Sequence, residues 1–321
     1  MTTLSITFPP HWECQRHPQA LHCSLRIKAW LRKDFPTVPY AFLNKMDIAG
    51  YSGWPFAACS ARTVYVVGKF FSYWIVFDDI LEKGDTPIPT EEILSAFSPF
   101  PPLVAHPLAQ GWSSCVDEFR YMPQEYLRVW KEDFKEWMDG AFLEREAFQH
   151  HRETGKILTM EEYMEIRRIT VGQAPSTHFM FLENPALWLS IYKTTPWKKA
   201  VALCVEIVAM INDFFSYQKD READNLNLLY CFCQGHLTRE ALCGFLALFQ
   251  KKFVEFDLLA KDIPPELAYG LQSNMYGFWV WHGETSGRYF NGFKLEGEGE
   301  EEIKIIRDVA PQERDLERAA L

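Results

Sequence analysis

The feature that most constrains this chain is the apolar run at residues 59–81, CSARTVYVVGKFFSYWIVFDDIL. Its apolar residues cover nearly every face of a helix, and a helix of that kind is buried on all sides. We therefore expect this segment to lie inside a bundle of helices. Gly84 is a plausible C-terminal cap, and Pro87 and Pro89 favour a stop at the same place.

Three carboxylates stand at the end of this predicted helix. Asp78 and Glu82 are four residues apart, and Asp79 and Glu82 are three apart. Carboxylates at the end of a buried helix repel each other and are hard to desolvate, and divalent metal ions would remove that cost. The alternative is that the helix emerges into water here, so that the carboxylates are simply solvated.

A second polar cluster follows the almost wholly apolar residues 201–211. Asn212, Ser216 and Asp220 stand four apart, so they share one helix face and offer an amide, a hydroxyl and a carboxylate oxygen. Such oxygen ligands suit a hard divalent metal, and Lys219 lies on nearly the same face to hold a phosphorylated substrate. An ordinary polar face is the alternative. Because this face continues a buried helix, its polar groups need partners, which favours the metal.

The two clusters are more informative together than separately, because each ends an apolar helix with oxygen ligands on one face. If both helices run parallel in one bundle, both clusters lie at the same end, above an apolar pocket. Phe71, Trp74 and Phe77 lie one or two turns below the first cluster and are candidates for the pocket wall. Phe278 and Trp281 of the last predicted helix are further candidates, although rings at helical spacing also commonly fill cores.

Composition narrows the classes of function. The net charge of −10 argues against a nucleic-acid partner. The eight cysteines show no paired CxxC spacing and are interpreted as reduced thiols. No signal peptide and no apolar run of membrane-spanning length is evident, which predicts a cytoplasmic protein without a membrane span.

The rest of the chain reads as helices joined by short or proline-rich links, without a convincing strand pattern. We therefore predict one all-α domain over residues 1–321, an α-helical bundle with a central apolar cavity. Residues 1–20 should form an extended arm, and 295–321 a charged, flexible tail. Thr159 and Glu162 match a capping box. The other predicted helices are 22–35, 90–97, 117–151 (one or two helices), 159–172, 176–192, 196–220, 237–259 and 266–289, with a loop at 98–107.

Three motifs together carry a family resemblance: DDILE at 78–82, NDFFSYQKD at 212–220, and the pair Arg288 and Tyr289. Over roughly residues 55–292 the chain resembles the class I terpene synthases of fungi and bacteria. The fungal aristolochene-type cyclases carry a similar DDLLE form. In that family an aspartate-rich motif and an Asn/Ser/Glu triad bind three magnesium ions, which hold the diphosphate of a linear isoprenoid.

The resemblance implies a role for each metal-binding position. Asp78 matches the main carboxylate ligand of the first motif, and Asp79 and Glu82 match its accessory positions. Asn212, Ser216 and Asp220 match the triad. The chain departs from the family at Asp220, where Glu is usual, and its carboxylate is one methylene shorter.

The resemblance also implies residues for the diphosphate. Lys219, Arg288 and Tyr289 match positions that contact it. Arg168 stands four before Gly172, as the diphosphate-sensing Arg stands before the helix-break Gly whose carbonyl faces the substrate. Arg167 is the competing choice for the sensor, and Gly172 is alternatively a plain helix end before Pro175.

The function that the resemblance implies is a magnesium-dependent terpene cyclase. Farnesyl diphosphate giving a sesquiterpene is the first hypothesis, and geranylgeranyl diphosphate giving a diterpene is the second. A prenyl-chain-elongating transferase and a non-catalytic helical binding protein are less favoured, because the second aspartate-rich motif of the transferases is replaced here and a binding protein would not need every ligand site. A monomer and a homodimer are both compatible with the sequence.

Overall fold

The structure is a computed structural model that describes residues 2–36, 38, 45–83, 88–286, 289, 292–295 and 302–307. It confirms the prediction of an all-α fold. The helices are α1 (Ala20–Asp34), α2 (Ile48–Gly53), α3 (Ala61–Lys83), α4 (Thr90–Ser95), α5 (Pro107–Val116), α6 (Gln124–Thr154), α7 (Met160–Thr170), α8 (Gln173–Thr177), α9 (Pro185–Ile191), α10 (Thr195–Glu222), α11 (Leu228–Phe232), α12 (Arg239–Leu259) and α13 (Pro265–Val280).

The two apolar runs form the interior helices α3 and α10, as the sequence predicts. In α3, Val67, Phe70 and Tyr73 are at most 1% exposed. Helix α10 is long and apolar enough to cross a membrane, but 78% of its most apolar window is buried inside the protein. That burial is typical of the core helix of a soluble protein. None of the eight cysteines, all of which lie within the described residues, forms a disulfide bond.

Helix α7 begins at the predicted capping box. The Thr159 hydroxyl accepts a hydrogen bond from the Glu162 backbone N–H at 3.2 Å, and the Glu162 carboxylate accepts from the Thr159 N–H at 2.8 Å. The box satisfies two backbone donors that would otherwise lack partners at the helix start. It fixes the residue at which α7 begins.

Several predicted boundaries were wrong. Helix α5 begins at the last residue of the predicted loop and continues over residues for which the sequence predicted no helix, and the predicted helix 117–151 begins only at α6. The predicted helix 176–192 is broken into α8, a 3-10 turn at His178–Phe181 and α9. The last helix leaves regular geometry after Val280, and a π-helical turn, Trp281–Thr285, follows. The predicted cap Gly84 lies outside the described residues.

The prediction that the chain lacks strands was also wrong. Strands β1 (Thr2–Ile6), β2 (Phe293–Lys294) and β3 (Glu302–Arg307) form a small sheet in the order β1-β3-β2. β1 and β3 pair in parallel, and β2 and β3 pair antiparallel. Ile303 and Ile305 alternate inward within the charged tail and are buried. β1 and β3 lie at opposite ends of the chain, so no local pattern in the sequence reveals their pairing.

Candidate active site

A cavity opens between the ends of α3, α6, α7, α10 and the π turn. Its empty volume is ≈ 1070 Å³, which includes the open mouth. Apolar and aromatic side chains form part of its wall, and oxygen-bearing and cationic side chains gather on another part. The residues that line it include Phe71, Trp74, Asp78, Glu144, Arg167, Thr170, Asn212, Asp213, Ser216, Lys219, Asp220, Phe278, Trp281, His282 and Tyr289.

Both oxygen-rich clusters reach this one cavity. Asp78 comes from α3, and Asn212, Ser216 and Asp220 come from α10. The spacing of four residues along α10 therefore does place three different oxygen donors along the same wall. Asp79 is half-buried and does not line the cavity. The Glu82 side chain and Arg288 lie outside the part of the chain that the structure describes.

Asn212 makes hydrogen bonds through both ends of its amide. Its Oδ1 accepts from Arg167 Nη2 at 3.0 Å. Its Nδ2 lies 3.1 Å from His282 Nε2 and 3.3 Å from the Tyr289 hydroxyl. The amide is therefore held between α7 on one side and the π turn on the other.

Asp220 is held by a residue that the sequence analysis missed. Asn227 is fully buried and donates through Nδ2 to Asp220 Oδ2 at 2.7 Å and to the Asp213 carbonyl oxygen at 2.7 Å. The Ser216 hydroxyl donates to the same carboxylate. Burial raises the pKa of Asp220. The available signal was weak: Asn227 precedes an apolar run and caps α11, where its Oδ1 accepts from the Leu229 N–H at 2.9 Å.

Arg167 is buried, with 8% of its surface exposed, and ties three helices together. It forms ion pairs with Glu144 of α6 at 3.1 Å and Asp213 of α10 at 2.7 Å, and donates to the Thr170 hydroxyl at 3.0 Å. Burial raises the pKa of Asp213 to about 7, although the charge of Arg167 opposes the shift. These ion pairs hold the Arg167 guanidinium in a fixed position at the oxygen-rich wall of the cavity.

Arg168 lies on the other side of α7 and does not line this cavity. Its guanidinium donates to Glu206 at 2.7 Å and to Glu165. It lines a separate outer groove with Val129, Trp197 and other residues. Of the two arginines that the sequence offered as diphosphate sensor, the structure brings only Arg167 to the oxygen ligands.

Gly172 follows α7 with a φ of +72°, a backbone conformation that side chains rarely adopt. A Cβ atom there would lie 1.3 Å from the Trp74 ring, so the chain and the ring approach closely only because the residue is glycine. The break after α7 is thus built against the cavity wall. This geometry favours the hypothesis that Gly172 is a helix break facing the cavity over the alternative of an ordinary helix end.

Four of the five predicted aromatic wall residues line the cavity: Phe71, Trp74, Phe278 and Trp281. The rings of Phe71 and Phe278 meet edge to face, with centroids 5.7 Å apart. Phe77 does not line it. It is fully buried in the core, with its ring centroid 4.9 Å from that of Trp137.

The family described as "Terpene synthase family 2, C-terminal metal binding" matches residues 69–242, more than half of the chain. This chain belongs to that terpene synthase family. Pristinol synthase of Streptomyces pristinaespiralis is 23% identical over 144 residues, a match that spans 44% of this chain and 39% of that protein.

Solved terpene synthase structures share the fold. Linalool/nerolidol synthase from Streptomyces clavuligerus, in complex with 2-fluorogeranyl diphosphate, has a TM-score of 0.72 at 16% identity, covering 87% of this chain and 99% of that one. 2-Methylisoborneol synthase from Streptomyces coelicolor A3(2), in complex with Mg²⁺ and 2-fluoroneryl diphosphate, has a TM-score of 0.70 at 17% identity, covering 90% and 98%.

The donor set of this terpene synthase suits a hard divalent cation, because every candidate ligand offers oxygen. Asp78 and Asp220 supply carboxylates, Asn212 an amide oxygen and Ser216 a hydroxyl. Across the described ranges, no group of three or more His, Cys, Asp and Glu side chains is placed to hold a metal. The fit therefore depends on the neutral oxygens of Asn212 and Ser216.

Proposed function

We propose that this chain is a carbon–oxygen lyase, a magnesium-dependent terpene cyclase that converts farnesyl diphosphate to a sesquiterpene and releases diphosphate. The observation that carries the proposal is the meeting of Asp78 with the Asn212, Ser216 and Asp220 oxygens beside an aromatic wall in one cavity. The bound diphosphate analogues of the two Streptomyces enzymes, and the Mg²⁺ of one of them, support the choice of ligands.

Asp78, Asn212, Ser216 and Asp220 would hold the magnesium, with Asp79 and Glu82 in accessory positions. Three ions are proposed, from the resemblance to class I terpene synthases. Magnesium held there would neutralise charge on the diphosphate and so make it a better leaving group.

The chain's own cations act on the same group. Arg167 and Lys219 line the cavity and direct positive charge toward the place where negative charge develops as the C–O bond breaks. We assign the sensing role to Arg167 instead of Arg168, because Arg167 contacts the triad residue Asn212. The Tyr289 hydroxyl donates a hydrogen bond to the departing oxygen, and Arg288 is proposed to add a further cation.

Bond cleavage leaves an allylic cation that must be kept from water until ring closure is complete. Phe71, Trp74, Phe278 and Trp281 supply an apolar wall for that purpose. An aromatic face that is shielded from water attracts a cation by about 2 kcal/mol or more, so several rings together favour some folded shapes of the bound substrate over others. The Gly172 carbonyl is proposed to face the substrate as well.

The test is product analysis of the purified protein with the C10, C15 and C20 diphosphates, with MgCl₂ and again after chelation. We expect diphosphate release and a cyclic C15 hydrocarbon with magnesium only. A cyclic C20 product would make the chain a diterpene cyclase. A longer diphosphate, formed only when isopentenyl diphosphate is added, would indicate a transferase, and release from none of the substrates would leave a binding protein.

Three finer properties remain predictions. The likeness to fungal aristolochene-type cyclases is tested by the skeleton of the product. The cytoplasmic location and the choice between monomer and homodimer are tested by fractionation and by light scattering of the purified protein.

A further inference from the structure

His282 is a cavity residue to which neither the sequence motifs nor the proposed chemistry gives a role. It lies in the π turn after α13 and is 2% exposed. Its Nδ1 lies 2.7 Å from the carbonyl oxygen of Phe278, and its Nε2 lies 3.1 Å from Nδ2 of Asn212. It therefore connects the backbone of α13 to the triad residue on α10.

The first of these contacts fixes the second. A backbone carbonyl only accepts hydrogen bonds, so the proton of the neutral imidazole sits on Nδ1 and is donated to Phe278. Nε2 is then left as an acceptor and takes a hydrogen bond from the Asn212 amide nitrogen. The π turn thus presents an acceptor, and not a donor, to Asn212.

On the opposite side of the amide, the neighbouring side chain requires a hydrogen-bond acceptor, whereas Nε2 of His282 requires a donor. Arg167 has only donors, and its Nη2 lies 3.0 Å from Asn212 Oδ1. If the amide rotated by half a turn, its NH₂ would meet the guanidinium and its oxygen would meet the Nε2 lone pair. Only one orientation satisfies both neighbours, and it keeps the oxygen on the side of Arg167. A carbonyl oxygen has two lone pairs, so it can accept from Arg167 and still bind a cation.

We propose that His282 is a positioning residue that orients the Asn212 amide so that its oxygen, and not its NH₂, is offered to the metal. The proposal rests on the proposed function, in which Asn212 is a ligand. An amide NH₂ has no free lone pair for a cation, so an amide in the other orientation is not a ligand. His282 acts through Asn212 and needs no contact with the metal itself, as partners behind metal ligands commonly do.

The experiment measures binding and does not depend on turnover. The unfolding temperature is followed against MgCl₂ at fixed inorganic diphosphate, and the magnesium concentration at half of the full shift is compared between variants. We expect His282→Leu to raise that concentration about 10–100-fold, the usual effect of losing a partner behind a metal ligand. His282→Gln retains an acceptor oxygen of similar reach and should restore the midpoint to within about threefold of wild type.

A matched control separates orientation from stability. His151 is also a buried histidine whose Nδ1 lies 2.8 Å from a backbone carbonyl, that of Lys156, and it does not line the cavity. His151→Leu should lower the unfolding temperature without moving the magnesium midpoint. An equal midpoint in wild type and His282→Leu would overturn the inference while leaving the metal assignment intact.

A second background tests orientation directly. In Asn212→Asp both side-chain ends are oxygens, so no orientation is unproductive. Adding His282→Leu to that background should move the magnesium midpoint by less than about threefold, because His282 then has no amide to orient. The two substitutions are therefore expected to be non-additive. A full shift there would mean that His282 acts by packing, and would overturn the inference. Wild type that shows no magnesium response would overturn the proposed metal set, and the inference with it.

Discussion

Arg167 and Arg168 are neighbours in the chain but belong to two different regions of the molecule. Arg167 lies in the cavity wall, where its partners are the buried Asp213, the nearby Glu144 and the amide of Asn212. Arg168 lies over the outer groove, where its side chain is 32% exposed. The difference shows that position on the helix, and not residue type, decides which guanidinium can act on a substrate.

The two arginines also differ in how strongly their charges interact with their surroundings. Around Arg167 water is excluded, so charge interactions are strong and an unpaired charge is expensive. Arg168 shares Glu206 with Lys252 and reaches the exposed Glu165, so water screens its ion pairs. Substitutions in the inner region should therefore be severe and those in the outer region mild.

The largest effect should come from Asn212→Leu. It removes a triad oxygen and also the neutral acceptor of Arg167. We expect turnover to fall below detection, a loss of at least about 1,000-fold, which corresponds to about 4 kcal/mol of transition-state stabilisation. Diphosphate release measures the loss, and circular dichroism checks that the variant stays helical. Full activity would refute the metal assignment, and with it the expectation that substitutions in the inner region are severe.

Arg167→Gln should come next, with a loss of turnover of about 100-fold or more. The substitution leaves Glu144 and Asp213 without their cation, which should also cost about 3–5 kcal/mol of stability. The double variant Arg167→Gln/Asp213→Asn removes one of the stranded charges, so it should regain part of the unfolding temperature and none of the turnover. If turnover returns with stability, the role of Arg167 is structural.

The same contrast explains what the sequence could and could not predict. The apolar runs of α3 and α10 predict that both helices are buried, because a helix that is apolar on all sides is stable only where apolar groups surround it. The spacing of four along α10 predicts a shared face, and Asn212, Ser216 and Asp220 do share it. These are properties of single helices, and local sequence determines them.

Which of two adjacent residues faces the cavity is a different kind of question. Successive residues differ by about 100° around a helix, so the choice between Arg167 and Arg168 depends on how α7 packs against α6 and α10. The placement of Phe77 in the core, against Trp137 of α6, likewise depends on how α3 packs against its neighbours. Asn227 and His282 contact the polar face of α10 from other elements, and contacts of this kind leave no periodic signal in the sequence.

A smaller effect on rate, but a clear one on products, is expected from Trp281→Ala. Its ring lines the cavity, whereas the ring of Phe77 does not. Trp281→Ala should change the ratio of products more than it changes stability. Phe77→Ala is the matched core variant, and it should cost about 3–5 kcal/mol of stability while leaving the product ratio unaltered. Gas chromatography and thermal unfolding measure the two quantities. An unchanged ratio with a large loss of stability would move Trp281 to the core.

The smallest effect should come from Arg168→Gln. Removal of the Arg168 guanidinium leaves Glu165 in water and leaves Glu206 paired with Lys252, so no buried charge is left without a partner. Burial alone would raise the pKa of Glu206, but hydrogen bonds from Lys252 and Arg168 hold it below its ordinary value. With Lys252 still present, the loss of stability should stay within about 1 kcal/mol. We expect kcat/KM within about threefold of wild type, because the guanidinium is outside the cavity wall. A 100-fold loss of kcat with an unchanged unfolding temperature would reverse the comparison and make Arg168 the residue that senses the diphosphate.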